Sequence, residues 1–324
     1  MGKDAQILAI LADGQFHSGQ ELANQLGLSR SGVWKVIQGL QARGVEVFAV
    51  QGKGYRLSQP VELLDKDIIA HTLAGLRDNY AGDISVLWDV DSTNRYLTQK
   101  VNSHPIAGAT CLAETQSDGR GRRGRNWVSP LGGNIYLSQL WRFNTGPAHL
   151  SGLSLAAAIA VVRVIRQLGA VNVGLKWPND ILLDGKKLAG ILLEMHGESN
   201  GPTNVVVGVG INVRLPATAA DQIDQPYISL SDVMNRAVER NKLAAHLISH
   251  LMYVYELFSE RGFAAFIEEW SSMDVYHDKR VQLQLPSGTI SGINRGVDPS
   301  GALRVEHEGQ ITSYPSGELS LRAV

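Results

Sequence analysis

Cysteine occurs once in the 324 residues, at Cys111, which excludes an internal disulfide and any metal site built on several thiolates. Charge of one sign is also missing: Lys+Arg number 30 against Asp+Glu 31. A net charge of −1 gives no global basic field, so any grip on nucleic acid must come from a local patch. The N-terminus, MGKDAQILAILADGQ, is too short and interrupted for a signal peptide, and no apolar run reads as long enough to span a bilayer. A cytoplasmic protein without a membrane partner is the expectation. Repeats, low-complexity tracts, a Walker A lysine, a His/Cys cluster and a supportable Ser/His/Asp set are all missing. What is present is an ordinary globular balance, 44 % hydrophobic and 19 % charged, with length for two or three domains.

Three segments follow from the patterning. In residues 1–62 the stripe Ile7, Leu8, Ile10, Leu11 gives a first helix. Ser18, with Glu21 three residues on, has capping-box spacing for a short helix through Leu22, Ala23 and Leu26. Gly27 breaks it, and Ser29 caps a third helix with Val33, Val36, Ile37 and Leu40 inward. VEVFAVQGKGYRL then reads as strand, Gly-Lys-Gly turn, strand. This order is that of a winged helix-turn-helix. Its DNA face would carry Ser29, Arg30, Ser31, Lys35 and Gln38, with Lys53 at the wing. Trp34 is expected to be partly buried. The bland alternative is a small helical domain with solvated charges.

Residues 60–70 read as a linker into a helix, and a second domain spans 67–270. Strands such as ISVLWDV, TCLAET, NIYLSQLW and NVVVGVG mix with a buried helix in SGLSLAAAIAVVRVIRQLG and another at 242–259. A mixed sheet with helices on one side is predicted. Residues 271–324 carry short strands between Pro-Ser-Gly turns, the pattern of a small β-barrel.

The chemistry concentrates in the middle. GRGRRGRNW, from Gly119 to Trp127, suits either a nucleic-acid arm or a phosphate loop. KWPND presents Lys176, Asn179 and Asp180 at a strand end. Asp184-Gly185 turns a hairpin that places Lys187 on the return strand, as a ligand contact or as a lysine snorkelling to solvent. GVGIN, ending at Asn212, is either a close approach to a ligand or a strand-end bend. DSTN, from Asp91 to Asn94, reads as an N-cap, ligand contacts, or both. An anionic, phosphate-bearing ligand is the simplest common target.

GRGRRGR, KWPND, KLAGIL and GVGIN, in this order and behind a helix-turn-helix, resemble the biotin protein ligases in their bifunctional form, which also represses biotin synthesis. The resemblance covers essentially the whole chain, including GKGY, and its motifs are only partly shared with lipoate ligases. It implies an α+β multidomain chain: a winged helix-turn-helix, a class II synthetase-like ligase domain and an SH3-like barrel. It implies that biotin and ATP form biotinyl-5′-adenylate, and that biotin then passes to a lysine of the biotin carboxyl carrier protein. Ser92, Thr93, Asn94, Gln116, Arg120, Gly121, Arg122 and Lys187 match positions that contact biotin or its adenylate, with Lys187 and Arg122 catalytic. Lys176, Asn179, Asp180 and Asn212 would serve the nucleotide, with Asp180 organising Mg²⁺ and Tyr227 in the place of an adenine-stacking aromatic. Operator DNA and a homodimer formed on adenylate binding are the further expectations. A lipoate ligase, a ligand sensor without ligase activity and a DNA arm built from the Arg-Gly loop are the competing readings.

Overall fold

A computed structural model describes residues 2–78, 80–101, 106–234, 236–285, 288–316 and 320–323. Helices α1 (Lys3–Leu11), α2 (Gly19–Leu26) and α3 (Arg30–Ala42) precede a hairpin of β1 (Val47–Val50) and β2 (Gly54–Leu57). Ser18 Oγ accepts the Glu21 N–H and Ser29 Oγ the Gly32 N–H, each at 3.0 Å. Each such cap stabilises its helix by about 1 kcal/mol. The return half of the capping box at Ser18 is not made; the Glu21 carboxylate accepts from Gln25 instead. Ile7, Leu8, Leu11, Leu22, Val33, Ile37 and Leu40 share one core with Val47 and Leu57. Trp34 departs from expectation: it is 52 % exposed, because its place in α3 turns it away from the Val33–Ile37–Leu40 stripe.

The linker is fastened rather than loose. Asp65 caps α4 (Lys66–Ala74) by accepting from the Asp67 and Ile68 N–H groups. Buried Arg240 pairs with buried Glu114 at 2.9 Å and donates to the carbonyls of Glu62 and Asn134, both at 2.7 Å. Glu114 also accepts the Leu64 N–H, and Asn241 donates to the Glu62 carboxylate. Beside this joint the first domain rests on the second. Arg43 bridges Asp4 and Asp89, and Trp88 Nε1 donates to Asp4 at 2.8 Å.

The central sheet uses β3 (Ile84–Leu87), β4 (Thr110–Ala113), β5 (Ile135–Phe143), β6 (Val173–Lys176), β7 (Asp180–Leu183), β8 (Lys186–Gly197) and β9 (Thr203–Ile211). Their order is β3-β4-β5-β9-β8-β7-β6, parallel between β3 and β4 and antiparallel at every other pair. Helices α6 (Leu153–Gln167), α7 (Arg240–Arg261) and α8 (Ile267–Met273) share the core of one face with Leu112, Leu137, Val205 and Val207. The expectation of helices on one side fails at α5 (Thr93–Val101). Its Leu97 and Val101 cover Cys111, Leu140 and Val206 on the opposite face. Neighbours such as Cys111 and Leu112 point to opposite faces and both are apolar, as strands buried on two sides require.

Residues 147–167 correct a second expectation. This stretch of 21 residues is apolar and long enough to cross a membrane by length and composition. It is apolar because it is the core helix: Leu155 to Val162 are all buried.

The C-terminal strands β10 (Arg280–Leu285), β11 (Gly288–Val297), β12 (Leu303–His307), β13 (Gln310–Tyr314) and β14 (Ser320–Ala323) form one antiparallel sheet ordered β13-β12-β11-β10-β14. Barrel closure needs the outermost strands to pair. Here β13 and β14 lie at opposite edges, so the described residues form an open sheet rather than the expected barrel. Val281, Leu283, Leu303 and Val305 belong to the same apolar cluster as the central domain.

Candidate active site

A cavity of about 280 Å³ opens where α5, the Arg-Gly loop and the middle of the sheet meet. It takes in Ser92, Thr93 and Asn94 from the start of α5, Gln116 from beyond β4, and Arg120, Gly121 and Arg122 from the loop. Lys187 and Asn179 close it from the β7–β8 side. All eight residues expected to contact biotin therefore line one cavity.

Its floor is a fixed chain of polar groups. Gln116 Oε1 accepts from the Thr93 N–H at 2.9 Å and from the Thr93 hydroxyl at 3.1 Å. The Ser138 hydroxyl lies 2.7 Å from Thr93 Oγ1 and 2.6 Å from Asn94 Oδ1. Asn94 Nδ2 donates to Glu194 at 2.7 Å. Such a network holds amide and hydroxyl dipoles in one orientation toward a small polar ligand. Of the two readings of DSTN, the N-cap is made, Ser92 Oγ accepting the Arg95 N–H at 3.5 Å, and Ser92, Thr93 and Asn94 line the cavity. Ser138 and Glu194 escaped the sequence reading, although a serine inside the apolar strand NIYLSQLW was a signal.

The glycines of GVGIN make room for the protein's own side chains. A Cβ on Gly208 would lie 2.3 Å from Asn94 Oδ1, and one on Gly210 would lie 2.5 Å from the Trp127 indole. Trp127 also faces Gly190, where a Cβ would stand 3.3 Å from the ring. The room beside these glycines, expected to admit a ligand, is taken by Asn94 and Trp127, while both glycines still line the cavity. Trp127 lines this cavity together with Tyr136, and its buried Nε1 has no hydrogen-bond partner among the described residues.

Lys187 is set by its strand. The Asp184-Gly185 turn has φ of 48° and 76°, the left-handed pair of a type I′ hairpin. The β7–β8 register then shifts, with Leu182 opposite Lys187 but Ile181 opposite Ala189, so β8 bulges at Leu188. Bulges of this kind re-aim side chains. The Lys187 ammonium, on a side chain 11 % exposed, lies 2.7 Å from Asp180 Oδ1, without hydrogen-bond angles, and 5.5 Å over the Trp127 ring. Its N–H donates to the Pro226 carbonyl, and its own carbonyl accepts from the Ile228 N–H and from Asn212 Nδ2.

A second chamber of about 440 Å³ shares Arg122, Arg125, Asn179, Lys187, Asp224 and Gln225 with the first and adds Lys176, Asp180 and Tyr276 among others. Burial pushes the Lys176 ammonium below the usual lysine range, with Lys187, Arg125 and Arg322 adding to the fall against Asp180. Burial likewise lowers the Arg122 guanidinium, with Arg125 and Arg123 acting against Asp180. Cations crowded around few carboxylates describe a site for a multiply charged anion.

Two expected nucleotide contacts lie outside both chambers. Asn212 is 6 % exposed, with its amide on the carbonyls of Lys187 and Ile228. Tyr227 pairs with Lys187 through the backbone. The site also fits a protein-held Mg²⁺ poorly. Asp180 is engaged by Lys187, and no group of three or more His, Cys, Asp or Glu side chains converges among the described residues.

The Arg-Gly loop folds back on itself, with Arg120 bridged to Asn126 and Gly121 N–H donating to the Arg125 carbonyl at 2.7 Å. Arg123 and Gly124 turn it at φ of 59° and 70°. Arg120 pairs with Asp118, while Arg122 reaches inward to Asn179 and to the Ser316 carbonyl of the C-terminal sheet. On the first domain Ser29, Arg30, Ser31, Lys35, Gln38 and Lys53 are all exposed.

The biotin/lipoate A/B protein ligase family profile matches residues 88–212, an HTH domain profile matches 3–56, and a biotin protein ligase C-terminal domain profile matches 276–322. The chain is 43 % identical to the bifunctional ligase/repressor BirA of Salmonella typhimurium, over 98 % of this chain and 97 % of that one. It is 32 % identical to the BirA of Bacillus subtilis, over 98 % of both. It is similar to a biotin protein ligase from Aquifex aeolicus in complex with biotin and ATP, with TM-score 0.64 and 27 % identity, over 75 % of this chain and 99 % of that one. With a helix-turn-helix ahead of the ligase domain and the likeness running end to end, the chain belongs to the family of the bifunctional ligase/repressor BirA.

Proposed function

We infer that this protein is a biotin–protein ligase that also acts as a biotin-responsive repressor. The observation that carries the reading is the convergence of Ser92, Thr93, Asn94, Gln116, Arg120, Gly121, Arg122 and Lys187 on one cavity, beside a second chamber rich in cations. In the first step an oxygen of the biotin carboxylate attacks the α-phosphorus of ATP, and pyrophosphate leaves. In the second a lysine amine of the carrier protein attacks the acyl carbon, and AMP leaves. The first step brings anion to anion, so fixed cations that gain most at the transition state are what the reaction needs.

In this reading Lys187 exchanges Asp180 for the carboxylate and the reacting phosphate, and Arg122 exchanges Ser316 for the adenylate phosphate. Lys176, Asn179 and Asp180 line the nucleotide side; Asn212 acts through the backbone of Lys187, and Tyr227 flanks it. Mg²⁺ would ride on the ATP phosphates, as this hard and reluctantly dehydrated ion commonly does. The Arg-Gly loop closes over the anhydride and excludes water.

The proposed units are 1–62, a winged helix-turn-helix with β1–β2 as wing; 67–270, a class II synthetase-like ligase domain; and 271–324, an SH3-like module. The setting is the cytoplasm. DNA binding belongs to the first unit. A single helix-turn-helix makes few base contacts, so adenylate-linked dimerisation through the central domain would supply the second. The deciding experiment mixes purified protein, α-labelled ATP and either biotin or lipoate, with and without a carrier domain. Biotin-dependent adenylate followed by carrier labelling is expected; preference for lipoate, or adenylate that never reaches the carrier, sinks the reading.

A further inference from the structure

The indole of Trp34 has no place in the activities assigned so far. It stands 52 % exposed on α3, one helical turn after Arg30 and one before Gln38. Its Nε1 has no hydrogen-bond partner among the described residues, and no ring or cation contact involves it. A lone exposed apolar side chain is ordinary. This one sits on the outward side of the second helix of the helix-turn-helix, in the half nearer its N-terminus, where such helices meet base edges.

The surroundings match DNA in charge and in shape. The sequence of α3, RSGVWKVIQGLQA, has no acidic residue, and Arg30 and Lys35 are exposed beside Trp34. Gly39 is exposed in the same helix, and a Cβ there would meet nothing within 4 Å. The fold therefore does not require glycine at this position, where alanine is the better helix former. A flat, glycine-relieved flank suits close approach of a duplex. On the other flank Gln41, seven residues after Trp34, donates to the Val47 carbonyl at the base of the hairpin. Trp34 thus lies between the polar centre of the helix and the β1–β2 hairpin.

We propose that Trp34 is a specificity-determining residue of the repressor, reading operator thymines through their C5-methyl groups in the major groove. The inference rests on the DNA-binding reading of the first domain. An apolar face can distinguish thymine in this groove, since only thymine presents a methyl group there. Arg30, Lys35 and Lys53 supply attraction to phosphate without regard to sequence.

The test uses the full chain with biotin and ATP. Duplexes are selected from a randomised pool, and each thymine of the selected site is replaced in turn by uracil, which removes only the methyl. The parent should lose affinity about fourfold at one or two thymines of each half-site, the worth of one buried methyl-sized group. Trp34→Ala should lose affinity for the selected duplex more than for random duplex and show no uracil penalty at those positions. Its dependence on salt should be unchanged, and Trp34→Phe should keep part of the penalty. Far-UV circular dichroism and a thermal melt that superpose on the parent's would establish that the first domain of the variant is folded, which adenylation by the ligase domain does not report. A uracil profile shared by parent and Trp34→Ala overturns the inference. So does an equal loss on selected and random duplex with a shallower salt slope, which means a backbone contact. If the parent enriches no sequence at all, the DNA-binding reading falls with it.

Discussion

The Lys187 ammonium is held 2.7 Å from the Asp180 carboxylate at the wall between the two chambers. A cation paired this way is poised rather than spent, because a phosphate can take the carboxylate's place. Lys187→Ala should slow biotin-dependent pyrophosphate exchange about 10²–10³-fold, as expected for loss of one preorganised donor. Circular dichroism should show the fold intact. Exchange at the parental rate would remove Lys187 from the chemistry.

Arg122→Gly removes a guanidinium that reaches Asn179 and the Ser316 carbonyl from the loop. Adenylate should still form but escape early, labelling lysines on an added bystander such as serum albumin. Gel-filtration of preformed adenylate complex measures the escape directly. An unchanged half-life means that this arginine is not the clamp.

Burial lowers Lys176, so its charged form is disfavoured in the ligand-free fold. The penalty is fully present below the folded value and fades as pH rises toward the usual lysine range. Lys176→Met should therefore stabilise the free protein at neutral pH, by about 0.5–2 kcal/mol, while weakening ATP binding. Thermal melts at neutral pH and near the lysine range, with ATP titrations, check both halves. A destabilised variant would contradict the assignment.

Glu114→Gln leaves the Arg240 guanidinium buried without its counter-charge. Removing one partner of such a pair costs about 3–5 kcal/mol. Urea melts should show a loss of that order, and double replacement by apolar residues should not recover it, because the Leu64 N–H and the carbonyls of Glu62 and Asn134 would lose their partners. A near-neutral Glu114→Gln would mean the pair is hydrated.

Deleting residues 1–62 should abolish DNA binding and reduce, but not remove, ligase activity. Leu131 of the ligase domain packs in the N-terminal core and loses that cover. Filter binding and carrier labelling on the truncated protein separate the two effects. Retained operator binding would return DNA recognition to the Arg-Gly loop.

Local chemistry was legible in the sequence. Ser18, Ser29 and the Asp184-Gly185 turn act through neighbours a few residues away, and they stand where the spacing placed them. The eight motif residues on the biotin side converge from the start of α5, the loop after β4 and the start of β8. What escaped depends on distant partners. Trp127 becomes a cavity wall only because Gly190 and Gly210 leave room for it. Glu194 matters through Asn94, one hundred residues away in sequence, and Arg240 meets its counter-charge only in Glu114, far from it in sequence. The side chosen by α5 was hidden because both faces of the strands are apolar, so alternation gave no sign.

The fastening of Glu62 by Arg240, with Arg43 spanning Asp4 and Asp89, makes the join between the two domains a splint. A flexible tether would let two DNA-reading heads search for half-sites at many separations. In the proposed dimer a splint would hand that choice to the catalytic domains, because the heads would follow wherever those domains paired. The distance between operator half-sites would then be written in the surface of an enzyme, and a change in how two ligase domains meet would move the address at which the repressor binds.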